Sequence, residues 1–203
     1  MINFYIKKII TEEKLQEELL VAKKKSAKPM LWVSMISMVM FFAGLTSAYV
    51  ISMRRDDWVS FDLPQAFYLS TVLISLSSVF LVLSERFIKS GRRQASLILV
   101  VLSLLFGIGF IWQQYVGFNQ LKSIGLFFTG PESTVSTSFI IGITFLHVLH
   151  VLAAVIVLLV VIYNHFKYNY KSNDLLGFEL GAIFWHFVGV LWIYLFFFFS
   201  FIK

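Results

Sequence analysis

Residues 138–163 read SFIIGITFLHVLHVLAAVIVLLVVIY, with no aspartate, glutamate, lysine or arginine among them. A helix rises 1.5 Å per residue and needs about 20 apolar residues to cross a hydrocarbon layer of about 30 Å, so this stretch alone is long enough to span a bilayer. It is apolar on every face, as a lipid-embedded helix is, whereas a membrane strand would alternate in polarity over roughly ten residues. Four further runs share this character, at about Met30 to Met53, Phe67 to Ser84, Ala95 to Phe118 and Phe178 to Ile202, each delimited by charged or turn-forming residues. The 203-residue chain is 59% hydrophobic and 14% charged with a mean hydropathy of +0.83, which excludes an ordinary soluble globule. The sequence therefore predicts an all-α fold: residues 30–203 form an integral membrane bundle of five transmembrane helices, and residues 1–29 form a short cytosolic N-terminal arm.

The arm carries seven lysines and four glutamates, the wrong order of charge and apolarity for a signal peptide. Ile9, Ile10, Leu15, Leu19, Leu20 and Val21 recur at helical spacing, and Thr11 is placed to cap a helix opening on Glu12 and Glu13. A short surface helix is expected there. Orientation follows from the basic residues, which concentrate on the cytoplasmic side of membranes. The arm, the second connection (Arg86, Lys89, Arg92, Arg93) and the fourth (Lys167, Lys171) together hold thirteen, against four on the other side, namely Arg54, Arg55, Lys122 and Lys203. The N-terminus is thus expected inside and the C-terminus outside. In a membrane protein the net charge of +6 reports this topology rather than nucleic-acid binding.

No cysteine is present, which excludes disulfides, thiolate metal sites and thiol nucleophiles. Ionisable side chains inside a bilayer are costly and therefore candidates for function. His147 and His150 stand three residues apart in the fourth run, His186 lies in the fifth, and Glu179 precedes His186 by seven residues on the same stripe. Counting from the helix starts, His150 and His186 each lie roughly 12 Å from the cytoplasmic edge, so the two imidazoles share a depth. They are expected to form, with Glu179, one polar patch between the fourth and fifth helices. Two chemistries remain open: interhelical hydrogen bonding, and a haem held between His147 or His150 and His186. Ser70, Ser77 and Ser84 repeat every seven residues in the second run, where small hydroxyls permit close helix approach. No base or acid accompanies them as nucleophiles would require.

Two segments carry a resemblance. Gly177-Phe178-Glu179, followed after five residues by Trp185-His186-Phe187-Val188-Gly189-Val190-Leu191-Trp192, resembles the last-helix signature of haem-copper oxidase subunit III, G-F-E then W-H-F-V-D-V-V-W. The preceding run, Thr144-Phe145-Leu146-His147-Val148-Leu149-His150-Val151, is similar to that family's T-G-F-H-G-L-H-V. Ile36 to Gly44 resembles its I-S-E-V-L-F-F-T-G. The resemblance implies a short, five-helix bacterial form of a subunit whose longer relatives have seven helices, set in the inner membrane. It implies a non-catalytic chain, without haem or copper of its own, in a cytochrome c or quinol oxidase that reduces oxygen and pumps protons. Partner subunits, the catalytic subunit I first, would hold the haem and copper, with a respiratory supercomplex as the wider setting. His147, His150, Glu179, Trp185 and His186 would then form a structural, phospholipid-binding site supporting oxygen access and proton uptake. The rival reading is a small membrane b-type cytochrome. Met38, Val116 and Gly189 stand where the family carries acids, so a protonic role at those positions does not transfer.

The topology has a direct test, because a chain without cysteine accepts single engineered ones cleanly. A cysteine at Lys89 should react only with membrane-permeant reagents in intact cells; labelling from outside would reverse the assigned orientation.

Overall fold

The structure, a computed structural model, describes residues 2–59, 62–126, 130, 133–167 and 175–202, and of residues 2–13 and 20 the backbone alone. Five helices make up almost all of it: α1 (Ile2–Ser52), α2 (Gln65–Lys89), α3 (Arg93–Ser123), α4 (Val135–Phe166) and α5 (Leu176–Phe201). All five are long and apolar enough to cross a membrane, and no strand occurs among the described residues. Large apolar side chains cover the outside, among them Val72 (53% exposed), Ile98 (61%) and Ile156 (62%). Such a surface is stable facing lipid and would associate in water.

The arm departs from the expected separate surface helix. Residues 2–52 form one unbroken helix with Pro29 inside it. A proline within a helix removes one hydrogen bond at a cost of about 3 kcal/mol. The preceding stretch, Lys23-Lys24-Lys25-Ser26-Ala27-Lys28, contains good helix formers and no turn pair to end the helix first. Thr11 lies inside this helix, so it does not occupy the cap position expected of it. The connection 168–174 likewise lies outside the described residues.

Helix ends elsewhere have local causes. α2 stops at Ser90-Gly91, where Gly91 takes φ of 79°, a conformation other residues rarely adopt, and the Arg92 N–H returns to the Phe87 carbonyl at 2.9 Å. α4 begins at Thr134, whose hydroxyl accepts the Thr137 N–H at 3.3 Å. In the first connection Arg55 grips Asp57 through Nε and Nη2 at 2.8 and 3.0 Å, and these hydrogen bonds hold the Asp57 carboxyl below the usual carboxylate range. One of the two arginines of that loop is thereby neutralised locally.

α2, α3, α4 and α5 close into a ring, each packed on two neighbours, and α1 lies outside it against α4 and α5. The tightest seam is α2 with α3. Ser77 and Ser103 exchange hydrogen bonds to each other's carbonyls at 2.7 and 3.0 Å, and Ser84 donates to the Ser96 carbonyl at 2.8 Å. Gln114 Nε2 donates to Ser70 Oγ at 2.9 Å. All six residues are essentially inaccessible. Small residues let the two backbones approach, and each hydroxyl finds a partner it could not find in lipid. Larger rings fill the remaining notches: Phe67 lies on Gly117, and Trp185 of α5 lies on Gly107, so closely that a Cβ at either glycine would collide with the ring.

Substitutions along this seam should rank predictably in detergent unfolding. Ser77→Ala removes hydrogen bonds to Ser103 and Trp185 and should cost on the order of 1 kcal/mol. Gly107→Ala displaces the Trp185 indole and should cost more, about 1–3 kcal/mol. The reverse order of the two would contradict the packing described.

Candidate functional site

Trp185 and Trp192, two turns apart on α5, both point into the ring. The Trp185 Nε1–H donates to Ser77 Oγ at 3.0 Å and the Trp192 Nε1–H to Thr71 Oγ1 at 2.9 Å. These two bonds fix the rotation of α5 about its axis, and with it the direction of every other residue on that helix.

His147 lies fully inside, within a box of rings: Trp192 at 5.4 Å, Phe110 at 6.1 Å and Phe42 at 6.2 Å between centroids. His150, three residues on, turns toward α1, packs on Phe42 at 5.6 Å, and donates its Nδ1–H to the Leu146 carbonyl of its own helix at 2.7 Å. A carbonyl can only accept, so that bond fixes the tautomer. His186 turns toward α2. It lines a crevice of about 210 Å³ with Ile74, Ser75, Ser78 and Gly189. Glu179 pairs with Lys28 of α1 at 2.7 Å, with both side chains partly exposed.

The expected single patch of His150, His186 and Glu179 is therefore divided among three partners. Whether two side chains meet depends on azimuth as well as rise, and the α4–α5 contact is occupied by Gly181 against Val161. Glu179 and His186 do share a stripe of α5, which opens between α1 and α2, two helices that make no approach to one another among the described residues. The Gly189 position adjoins this opening. A Cβ there would stand 3.3 Å from Ser78 Oγ, close enough that the hydroxyl must give by a few tenths of an ångström to admit a larger residue.

Several interactions escaped the sequence reading. Thr46 Oγ1 meets the Tyr194 hydroxyl at 3.1 Å and the Tyr49 hydroxyl donates to the Ile202 carbonyl at 3.3 Å, both joining α1 to α5. His165 Nε2–H donates to the Arg93 carbonyl at 3.1 Å, tying the end of α4 to the start of α3. It stands just past the apolar run, where a boundary at Tyr163 had left it out. Among the described residues no three His, Asp or Glu side chains gather as metal ligands would.

With this geometry in hand, comparison with known proteins is specific. A sequence model of the family described as cytochrome c oxidase subunit III matches residues 1–202. Cytochrome c oxidase subunit 3 of Pyricularia grisea is 27% identical over 208 residues, covering 96% of this chain and 74% of that protein. The same subunit of Podospora anserina is 27% identical over 207 residues, covering 95% and 74%. That of Pelomedusa subrufa is 28% identical over 128 residues, covering 63% and 47%.

The Lys28–Glu179 pair supplies the test of how α1 is held. A partly exposed ion pair is worth about 1 kcal/mol at most, so Glu179→Gln should leave assembly intact while loosening α1 around Lys28. Cysteines replacing Lys28 and Glu179 should be joined by a short bifunctional maleimide, which spans the gap that the two long side chains bridge and a disulfide does not. Failure to cross-link would place the two helices apart.

Proposed function

The chain belongs to the cytochrome c oxidase subunit III family, and from that premise we propose that it is the non-catalytic flank of a proton-pumping haem-copper oxidase in a bacterial inner membrane. Its role there is to stabilise the catalytic subunit, hold phospholipid, and support oxygen access and proton uptake during turnover. Haem, copper and oxygen reduction belong to partner subunits. Either cytochrome c or quinol suits this reading as electron donor. The N-terminus lies on the cytoplasmic side and the C-terminus on the periplasmic side, with residues 1–29 projecting as the arm and 30–203 forming the membrane domain.

The observation that carries the reading is the divergence of the mid-membrane histidines. One haem between α4 and α5 needs two imidazoles facing across a shared gap. Here the His147 ring is enclosed by Phe42, Phe110 and Trp192, His150 turns to α1, and His186 turns to α2. The cytochrome alternative therefore lacks a ligand pair. The same divergence supports the role of a flank: the stripe of Glu179, His186 and exposed Val190 between α1 and α2 presents polar groups beside apolar surface, which suits a phospholipid or a neighbouring helix.

Removal of this subunit from the purified oxidase should leave the haem absorption spectrum essentially unchanged while shortening the lifetime of activity under continuous turnover. Loss of a haem band that returns only when His150 or His186 is present would establish the cytochrome instead.

A further inference from the structure

One transverse layer of the bundle draws a buried polar group from each of α2, α3, α4 and α5. Its α2 side is fully hydrogen-bonded: Gln114 Nε2 donates to Ser70 Oγ, Trp192 Nε1 donates to Thr71 Oγ1, and both hydroxyls donate to the Phe67 carbonyl at 2.8 Å. Its α4 side is not. Both ring nitrogens of His147, the Thr144 hydroxyl and Gln114 Oε1 are buried without a protein partner. The residues are 0%, 0% and 1% exposed, respectively.

Helix register brings these unpaired atoms to one level of the α3–α4 contact. α3 and α4 run antiparallel, with Arg93 bonded to His165 at one end and Phe110 against His147 further along. The same register sets Gln114 opposite Thr144, one turn beyond that ring pair on each helix. Trp192 closes the layer, with centroids 5.2 Å from Phe110 and 5.4 Å from His147. Thr144 could satisfy itself on its own helix, as Thr71 and Ser75 do at 2.8 and 2.7 Å, yet its hydroxyl makes no such bond.

A neutral imidazole offers one donor and one acceptor, a hydroxyl offers both, and an amide oxygen accepts. Water, with two donors and two acceptors, matches this set, and buried waters typically sit where about three such groups converge. We infer that Gln114, Thr144 and His147 form a binding site for internal water at the α3–α4 contact. The water extends the hydrogen-bonded chain from Phe67 through Ser70 and Gln114 across to α4. This site is distinct from the outward stripe of Glu179 and His186 and does not depend on the role proposed above.

Radiolytic hydroxyl labelling of the intact oxidase tests it, since a buried side chain beside bound water is oxidised while a dry one is spared. Trp185 is the internal reference, as buried as Trp192 but hydrogen-bonded at Ser77, whose hydroxyl already has its partners in Ser103. Trp192 should label several-fold faster than Trp185, and Thr144→Val should bring its rate down to that of Trp185. If the variant does not assemble, a high-resolution density map of the native complex decides, with a solvent peak expected within hydrogen-bonding distance of Gln114 Oε1 and Thr144 Oγ1. Equal labelling of the two indoles in the native complex, or a map in which His147 bonds Gln114 directly with no solvent peak, would overturn the site.

Discussion

The seam between α2 and α3 is the contact on which the other helices depend. Serines recur every seven residues along α2, and Ser96 and Ser103 meet two of them across the seam, so the backbones come close enough for hydroxyls to bond the opposing carbonyls. In lipid there is no hydrophobic drive to press helices together, because the tails are as apolar as leucine. Shape and hydrogen bonds must supply the association. A seam with small residues and paired hydroxyls supplies both.

Trp185 carries that arrangement to the rest of the bundle. Its indole donates to a hydroxyl already engaged across the seam and lies on Gly107, so α5 can seat in one rotation only. Two turns on, Trp192 repeats the contact through Thr71. With α5 held at two points, Gly181 meets Val161 of α4, and α4 in turn carries His147 into the interior and His150 toward α1. α1 is joined to this ring through Thr46, Tyr49 and the Lys28–Glu179 pair.

This hierarchy bears on the place of the chain in a larger assembly. The ring of α2 to α5 is held by serine pairs and indole hydrogen bonds inside the bundle, whereas α1 buries Phe42 against α4 and presents Trp32, Val33, Ile36 and Met40 outward. Between α1 and α2 the floor of α5 remains open, with Glu179, His186 and Val190 facing it. The flanking role proposed above calls for a rigid interior and an accommodating exterior, and the division between seam and stripe suits it.

Five long apolar helices were legible in the sequence because a bilayer imposes a length and an apolarity that few residues can disguise. The same holds for the serine heptad, whose period alone announces close packing, and for Trp185 and His186, which lie in a motif. Continuity of α1 through Pro29 was not legible, since a proline weakens a helix without dictating that it end. Nor was the separation of His150 from His186. Sequence spacing measures rise and relative angle within one helix, and it says nothing of how two helices are rotated against each other. That rotation is set by Trp185 in the notch at Gly107 and Trp192 on Thr71, contacts between residues 78 and 121 positions apart in the chain. Only the tertiary structure decides them, because the close fit of a ring against a glycine exists only once three helices have met.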